Sequence, residues 1–315
     1  MRILIYGAGA VGSVLGGLLA SSGHEVTLLG RSWHLDAIQK QGLAIAGIWG
    51  NRTVQGLFLA KNLPQLDKPG TFDWIFVCVK SHQTAAVAKT LPQIIGPATL
   101  VCAFQNGLGN EEALREFVPQ EKLALGRVIF GAEIEPGSVT VTVNADDVRI
   151  GGSSAKFPGQ RLAELVDAFQ KSGIPAQPTD KIQTVLWMKV LYNSALNGLS
   201  TLFDVPYGKL LDQVITKQLM EKIIVEAYQV AKVHKIVLEP DSAQSYLQLL
   251  FSQLIPNTAG HHSSMLQDLK RERLTEIDAL NGAIARLGVA AGVPTPVNAL
   301  VTRLVHTKER FLCCS

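Results

Sequence analysis

The stretch that decides the fold is the beginning of the chain, where Arg2-Ile3-Leu4-Ile5-Tyr6 is followed at once by Gly7-Ala8-Gly9-Ala10-Val11-Gly12. A short apolar run, a Gly-x-Gly-x-x-Gly turn and the helical pattern of residues 13–22 predict a strand, a tight turn and a helix. Glycines in such a turn let the backbone approach a pyrophosphate, whose charge is stabilised at the N-terminus of the helix. The sequence therefore predicts a dinucleotide-binding site.

The same stretch also resembles a signal peptide or a membrane span, because a basic residue precedes an apolar segment that ends in Ala20-Ser21-Ser22. Five glycines between Gly7 and Gly17 are unfavourable for both. Residues 24–29 then read as a second strand and not as a cleavage region. We therefore expect a cytoplasmic protein without a membrane segment.

Length and composition favour a globular protein of two domains, because 315 residues with 47% apolar and 17% charged side chains fill substantial cores. The net charge is only +3, and no basic run is interleaved with aromatic residues, so nucleic acid is not expected as a partner. An acidic small molecule is compatible with this charge.

Cysteines and histidines give no sign of a metal site. Cys78 and Cys102 fall in apolar strand-like runs, whereas Cys313-Cys314 stands in a tail that we expect to be loose. None has the spacing of metal ligands or of a disulfide framework. The pair His261-His262 also has no further ligand at a suitable spacing.

The first half alternates strands and helices. Residues 74–79 and 99–104 are strand candidates with a helical stretch, 83–95, between them, which predicts a parallel, doubly wound sheet of the Rossmann type. We expect residues 139–143 and 147–150 to be antiparallel strands that close this sheet. A further amphipathic helix is predicted for residues 159–172.

From residue 181 to residue 311 the periodicity is almost wholly helical. We therefore place the domain boundary near residue 178, with an α/β domain over 1–178 and an all-α domain over 179–315. Ser264-Met265-Leu266-Gln267 has the form of a capping box. Behind it an apolar stripe continues towards the turn at residues 292–296, in one helix or in more than one segment, on Leu266, Leu269, Ile277, Leu280, Ile284 and Leu287.

The residue after the second strand of this fold selects the nicotinamide cofactor. An acid there binds the ribose 2′-hydroxyl of NAD, and an arginine accommodates the 2′-phosphate of NADP. The strand here ends Leu28-Leu29-Gly30-Arg31, and Asp36 comes too late for the acid role. Arg31 therefore favours NADPH over NADH, although an ordinary surface arginine is the alternative.

Polar residues in the second half suggest a chemical site. Lys189, Asn193 and Asn197 are spaced by four on a predicted helix, so they lie about 40° apart on one face. Unpaired polar groups on a buried face cost about 1 to 3 kcal/mol each. Spacing alone leaves a solvated face equally open, and Glu276, beside an apolar stripe, reads by itself as a surface residue.

Taken together, these motifs resemble the ketopantoate reductase family, the 2-dehydropantoate 2-reductases, along nearly the whole chain. The motifs that carry the resemblance are Gly7-Ala8-Gly9-Ala10-Val11-Gly12, Arg31, Val79-Lys80, Gln105-Asn106-Gly107-Leu108-Gly109, Trp187-x-Lys189 with Asn193 and Asn197, Ser263-Ser264-Met265-Leu266-Gln267-Asp268, and Thr275-Glu276-Ile277-Asp278-x-x-Asn281-Gly282. The family reduces 2-dehydropantoate to pantoate with NADPH, a step towards pantothenate and coenzyme A.

The resemblance implies a role for each matching position. Lys189 is implied as the general acid that protonates the ketone oxygen, and Glu276 as the carboxylate that orients Lys189 or the nicotinamide ribose. The implied substrate ligands are Lys189, Asn193, Asn197 and Ser264. The implied cofactor ligands are Gly7, Ala8, Gly9, Ala10, Val11, Gly12, Arg31, Lys80, Asn106, Ala132 and Glu276. A small 2-keto acid is the implied partner, bound between the two domains, and a homodimer is compatible with the resemblance.

Ser264 and Glu276 create a geometric conflict within this scheme. They are twelve residues apart, which is about 18 Å along an unbroken helix and more than a substrate of this size spans. Either the helix breaks between them, or they contact opposite ends of a substrate and nicotinamide pair. We favour the second interpretation.

Three positions depart from the family pattern on the substrate side. His261 and Tyr207 stand where the family has asparagines, and Gly198 replaces a proline that often follows Asn197. These departures leave open a reductase for another branched or aromatic 2-keto acid. A non-catalytic NADP-binding regulator is a further alternative, although both Lys189 and Glu276 are present.

Overall fold

The computed structural model describes residues 1–66 and 70–313, and the chain divides into two compact units. The first comprises Met1–Gln105 and Asn110–Ile182, and the second comprises Asn106–Gly109 and Gln183–Ser315. The short Asn106–Gly109 segment therefore belongs to the second unit, although its chain neighbours on both sides belong to the first. Each unit has its own core of buried apolar side chains.

An eight-stranded sheet forms the first unit, with a smaller four-stranded sheet beside it. The strands are β1 (Arg2–Tyr6), β2 (Glu25–Leu29), β3 (Leu43–Gly47), β4 (Arg52–Val54), β5 (Phe58–Ala60), β6 (Trp74–Val77), β7 (Leu100–Ala103), β8 (Leu123–Arg127), β9 (Phe130–Glu135), β10 (Ser138–Asn144), β11 (Val148–Gly152) and β12 (Ala176–Pro178). The larger sheet has the order β12-β11-β8-β7-β6-β1-β2-β5.

The predicted doubly wound architecture is confirmed. β1 pairs in parallel with β2 on one side and with β6 on the other, so the direction of winding reverses at β1. Ligands of this fold class bind outside the carboxyl ends of the strands at such a switch point. The glycine turn follows β1 directly, and helix α1 (Ala10–Ser21) begins inside it.

Four further helices belong to the first unit, and of these α5 matches a predicted helix. They are α2 (Ser32–Gln41), α3 (Thr84–Ala88), α4 (Asn110–Arg115) and α5 (Gly159–Lys171). The stretch 83–95 is not the single helix that we predict from the sequence. After α3 it continues only as a short 3-10 helix, Leu91–Gln93, because Pro92 has no N–H to donate in a helix.

The prediction for the closing strands is correct for one strand and wrong for the other. β11 pairs antiparallel with β8 in the larger sheet, as expected. β10 instead pairs antiparallel with β9 and parallel with β3, in the four-stranded sheet of order β4-β3-β10-β9. The reason is local: Gly137, at φ +76°, closes a tight hairpin between β9 and β10, which binds β10 to its immediate neighbour.

The second unit is helical, as predicted. Its helices are α6 (Ile182–Phe203), α7 (Val214–Val233), α8 (Ala243–Leu249), α9 (Ile255–Asn257), α10 (Ser264–Lys270), α11 (Asn281–Ala291) and α12 (Pro296–Cys313). The predicted loose tail is wrong for its first part, because α12 runs through Leu312 to Cys313; Cys314 lies outside the described residues. Within residues 1–66 and 70–313, no helix is both long and apolar enough to cross a membrane.

His34 joins three parts of the first unit at its core. The side chain of this α2 residue is fully buried, with Nε2 3.0 Å from the Ser13 hydroxyl on α1. Its Nδ1 lies 3.1 Å from both the Gly137 N–H, which donates to it, and the Glu135 carbonyl oxygen. Burial lowers the pKa of His34 below its ordinary value of 6.5, although the Glu135 carbonyl opposes the shift.

The lowered pKa of His34 predicts a loss of stability in mild acid. The folded state resists the proton that the unfolded chain accepts below its pKa of about 6.5, so the free energy of unfolding falls as the pH drops below that value. Urea unfolding at pH 7.5, 6.5 and 5.5, followed by tryptophan fluorescence, measures this slope. We expect His34→Gln to flatten the slope and His82→Gln, an exposed control, to leave it unchanged. An unaltered slope in His34→Gln contradicts this assignment.

Candidate active site

The three polar residues of α6 form one partly buried face. Lys189 and Asn193 are half-buried, and Asn197 is only 4% exposed. A fully solvated face, the alternative that spacing left open, does not fit this burial. The residues flanking them on α6, among them Trp187, Val190 and Leu196, belong to the core of the second unit.

Asn106 connects Lys189 with Glu276. The Lys189 Nζ donates to Asn106 Oδ1 at 2.6 Å, and Asn106 Nδ2 donates to Glu276 Oε2 at 3.0 Å. The amide therefore uses its acceptor end for the cation and its donor end for the carboxylate. Glu276 is 7% exposed, and a buried carboxylate requires such hydrogen bonds.

Close backbone packing places Asn106 in this position. Leu108 N–H donates to the Ala279 carbonyl at 2.8 Å, and Gly107 has φ +81°. A Cβ on Gly107 would overlap with the Ala279 carbonyl and its Cβ. Only glycine combines this left-handed conformation with so close an approach, which explains the glycine in the Asn106-Gly107-Leu108 sequence.

The helix that carries Ser264 breaks before Glu276, which is the interpretation of their separation that we did not favour. α10 ends at Lys270, and Glu272 takes φ +54° in the turn that follows. Thr275 N–H then donates to the buried Glu309 carboxylate at 2.7 Å, which fixes the chain in its new direction. Glu276 follows as the N-cap of a 3-10 turn, Ile277–Ala279.

The predicted capping box is also displaced. The N-cap of α10 is Ser263, whose hydroxyl accepts from Leu266 N–H at 3.1 Å, and Leu266 cannot complete a capping box. The side chain of Ser264 is therefore not used as the cap. It is exposed and lines a pocket.

One small pocket of the second unit brings most of the predicted substrate residues together. It encloses about 220 Å³ including its open mouth. Its lining residues are Asn106, Asn193, Asn197, Ser264, Met265, Asp268, Glu276 and Leu280. Lys189 reaches this group through its hydrogen bond to Asn106.

Sequence reasoning gave no role to three of these residues: Met265, Asp268 and Leu280. Asp268 is the chemically informative one, because it is a carboxylate only 7% exposed. It follows Ser264 by four residues, one helical turn, so both lie on the same face of α10. That spacing is the signal from which the sequence allows Asp268 to be found.

The remaining predicted cofactor residues lie in the first unit. Arg31 is exposed and precedes α2 as its N-cap, and Lys80 lies beyond the carboxyl end of β6. Ala132 is on β9, in the smaller sheet. Asp36 forms an exposed salt bridge with Lys61 at 2.6 Å, which agrees with its exclusion from the ribose position.

The glycine turn fits a bound pyrophosphate. A Cβ on Gly12 would collide with the Gly7 carbonyl and with Ile5, so this glycine permits the close packing of turn, strand and helix. A Cβ on Gly9 would meet no atom within 4 Å, and Gly9 is exposed. Gly9 therefore presents bare backbone to open space at the N-terminus of α1, where an anion is stabilised.

The departures from the family pattern have separate structural roles. Tyr207 is 3% exposed and its hydroxyl donates to Asn197 Oδ1 at 2.6 Å. His261 is exposed, and its ring lies 5.2 Å from the Tyr207 ring. A Cβ on Gly198 would point at Val301 of α12, so Gly198 permits helix packing and, contrary to our expectation, does not belong to the substrate side.

Burial perturbs the titration of this aromatic group. It raises the pKa of Tyr207 far above its ordinary value of 10, and the neighbouring Tyr192 adds to the shift. Partial desolvation of the His261 ring also lowers its pKa, with a smaller contribution from His262. Tyr207 is therefore a protonated hydroxyl and His261 a neutral ring at neutral pH.

Known proteins resemble this chain in sequence over both of its halves. The family model "Ketopantoate reductase PanE/ApbA" matches residues 3–154, and "Ketopantoate reductase PanE/ApbA C terminal" matches residues 181–309. The 2-dehydropantoate 2-reductase of Aquifex aeolicus is 38% identical over 99% of this chain and 98% of its own length. That of Pyrococcus abyssi is 32% identical over 98% of both chains.

Solved structures agree with these relatives. A PanE/ApbA family ketopantoate reductase from Ralstonia eutropha has a TM-score of 0.88 at 31% identity, over 99% of both chains. D-mandelate dehydrogenase in a ternary complex with NADH and anilino(oxo)acetate has a TM-score of 0.84 at 32% identity, also over 99% of both. By both of its halves and along its whole length, this chain belongs to the ketopantoate reductase family.

Proposed function

We propose that this protein reduces 2-dehydropantoate to pantoate with NADPH, as a step of pantothenate and coenzyme A biosynthesis. The observation that carries the proposal is the hydrogen-bonded series Lys189, Asn106 and Glu276 beside a pocket whose polar lining is three amides, one hydroxyl and two carboxylates. A cationic proton donor held next to neutral hydrogen-bond donors suits a ketone that becomes an alkoxide. Membership of the family supports the same reaction.

Lys189 is the proton donor in this scheme. A reduced nicotinamide, when bound, supplies a hydride to the ketone carbon. Lys189 Nζ transfers a proton to the ketone oxygen as negative charge develops there, so that a hydroxyl results. Asn106 fixes the ammonium through its Oδ1, and Glu276 fixes Asn106 in turn. Glu276 is therefore the residue that keeps the donor oriented.

The pocket amides bind the substrate. Asn193, Asn197 and Ser264 carry hydrogen-bond donors, which suit the carboxylate and oxygen atoms of a 2-keto acid. Asp268 and Glu276 are acceptors, which suit the hydroxyl of 2-dehydropantoate. In this proposal residues 179–315 are the substrate domain and residues 1–178 the NADP domain. Cytoplasmic location and a homodimer stay predictions.

The first test is turnover and its dependence on Lys189. We expect purified protein to consume NADPH when 2-dehydropantoate is added, and Lys189→Ala to lower kcat by about 10²- to 10⁴-fold, since it removes the general acid. Lys222→Ala, an exposed lysine of α7, is the control and keeps full activity. Absence of turnover in the unaltered protein, or equal turnover in Lys189→Ala, overturns the proposal.

NADPH specificity follows from Arg31 in this proposal. Arg31 comes two residues after the end of β2 and is exposed, where its guanidinium can meet a 2′-phosphate with two parallel hydrogen bonds. Asp36, the acid that follows Arg31 in the sequence, forms a salt bridge with Lys61. The related D-mandelate dehydrogenase was solved with NADH, so the preference has to be measured on this chain.

Arg31→Gln tests this preference. We expect the ratio of kcat/KM for NADPH to that for NADH to fall by about tenfold or more, because a charge-assisted contact of about 1.5 to 3 kcal/mol is lost only with the phosphorylated cofactor. Arg115→Gln, an exposed arginine of α4, serves as the control with an unchanged ratio. If kcat/KM of the unaltered protein is the same for NADH and for NADPH, Arg31 does not have this role.

Gly9→Ala tests the glycine turn without disturbing the fold. The backbone of Gly9, at φ −85° and ψ −165°, is allowed for alanine, and the added methyl group enters open space. We expect an unchanged Tm but a Kd for NADPH that rises by about tenfold, equivalent to about 1.4 kcal/mol, because the methyl group occupies the approach of the pyrophosphate.

The matched control for Gly9→Ala is Gly159→Ala at the start of α5, where a Cβ also meets no atom within 4 Å. We expect it to change neither Tm nor cofactor affinity. Unaltered NADPH affinity in Gly9→Ala contradicts the placement of the pyrophosphate at this turn.

A reductase of another branched or aromatic 2-keto acid is the second candidate. The observation that favours it is Tyr207, which occupies a family asparagine position and bonds to the pocket residue Asn197. A panel of 2-keto acids that includes 2-dehydropantoate, 2-oxoisovalerate and phenylglyoxylate, ranked by kcat/KM, separates the two. The highest value for 2-oxoisovalerate or phenylglyoxylate supports the second candidate.

A further inference from the structure

The buried hydroxyl of Tyr207 acts on the pocket through Asn197. Tyr207 does not line the pocket, whereas Asn197 does. The two side chains are 3% and 4% exposed, and they meet through a 2.6 Å hydrogen bond from the tyrosine O–H to Asn197 Oδ1. No role is given to this contact by the reaction scheme above.

A carboxamide has an oxygen that accepts and an NH2 group that donates. The bond from Tyr207 to Asn197 therefore selects which of the two remains for a ligand. The Tyr207 hydroxyl keeps its proton at all ordinary pH values, because burial raises its pKa. It therefore donates, and it engages the oxygen of Asn197. What remains for the pocket is the Nδ2 group, which has two N–H donors and no acceptor capacity.

Tyr207 is held firmly enough to impose this orientation. Its N–H donates to the His261 carbonyl at 3.0 Å, and the next residue, Gly208, donates to the Ala259 carbonyl at 2.9 Å. The ring of Tyr192 meets it edge-on with ring centres 5.9 Å apart. Backbone and ring are thus fixed from two sides, and the hydroxyl has a defined direction.

We propose that Tyr207 is a positioning residue that sets substrate specificity: it fixes the Asn197 carboxamide so that only N–H donors face the pocket, which selects for a carboxylate or hydroxyl oxygen of the 2-keto acid at that point. This inference rests on the proposed function. Without the hydroxyl, the carboxamide can rotate and present Oδ1, which repels a substrate oxygen.

Tyr207→Phe is the direct test, because it removes only the hydroxyl. We expect kcat/KM for the preferred 2-keto acid to fall by about tenfold, equivalent to about 1.4 kcal/mol, through a higher KM, with kcat changed less and the KM for NADPH unchanged. Tyr192→Phe is the matched control. It also loses a tyrosine hydroxyl, from a half-buried side chain, but that hydroxyl is bonded to Thr258 at 2.7 Å and not to a pocket residue.

A double-mutant cycle with Asn197→Ala separates positioning from a general structural effect. If Tyr207 acts through Asn197, the Tyr207→Phe change has less than about a twofold effect once Asn197 is absent. A tenfold loss in both backgrounds overturns the proposal, as does a Tyr207→Phe enzyme with the KM of the unaltered protein.

Asn197→Asp provides a test that does not depend on the folding of Tyr207→Phe. The aspartate keeps an oxygen for the Tyr207 hydroxyl but has no N–H donors, so we expect a rise in keto acid KM at least as large as in Asn197→Ala. Unchanged KM overturns the inference.

Failure of the proposed function is seen separately, in the unaltered protein. If that protein prefers another 2-keto acid, the same cycle is run with the preferred acid, and Tyr207 is judged on that substrate. If it reduces no 2-keto acid, both the proposed function and this inference fail. If the unaltered protein reduces a 2-keto acid and Tyr207→Phe has the same KM for that acid, only the inference fails.

Discussion

The candidate site depends on one half-buried carboxamide, that of Asn106, which accepts from Lys189 and donates to Glu276. Asn106 gives the Lys189 Nζ an acceptor and the Glu276 carboxylate a donor, so one amide holds both side chains in a fixed direction. The close approach of Gly107 to Ala279 makes this arrangement possible, because it brings the Asn106 backbone against the turn that carries Glu276.

A second polar network holds the helices that carry these residues. Asn281 Nδ2 donates to the Ser194 carbonyl of α6 and to Asn298 Oδ1 of α12, each at 3.0 Å. Glu226 of α7 accepts from Asn298 Nδ2 at 2.7 Å and from two N–H groups at the start of α12. Buried polar groups are costly unless paired, so this network specifies one arrangement of the four helices it joins. Asn281 and Glu276 belong to the same segment, residues 275–282, so the bond of Asn281 to α6 also holds Glu276 near that helix.

The sequence predicts the elements whose signal is local. The first strand, the glycine turn, α1, α5 and the face of Lys189, Asn193 and Asn197 all follow from periodicity or spacing. The break between α10 and Glu276 does not, because Lys270-Arg271-Glu272-Arg273 contains neither glycine nor proline. That break depends on Glu309, more than thirty residues further on, which accepts from the Thr275 N–H. In the smaller sheet, the pairing of β10 with the distant strand β3 is missed for a similar reason, whereas the β9–β10 hairpin at Gly137 is local.

The hydrogen-bond donors and acceptors of the pocket restrict the class of ligand more than the size of the pocket does. Asp268 and Glu276 are two buried carboxylates, and a 2-keto acid is itself an anion. An anion is stable beside them only if it meets enough donors, which here come from Lys189, Asn193, Asn197 and Ser264. If one of these amides turned its oxygen towards the pocket, it would add another atom that repels an anion, beside the oxygens of the two carboxylates. The Tyr207 hydroxyl prevents this at Asn197, so a residue outside the pocket controls the polarity inside it.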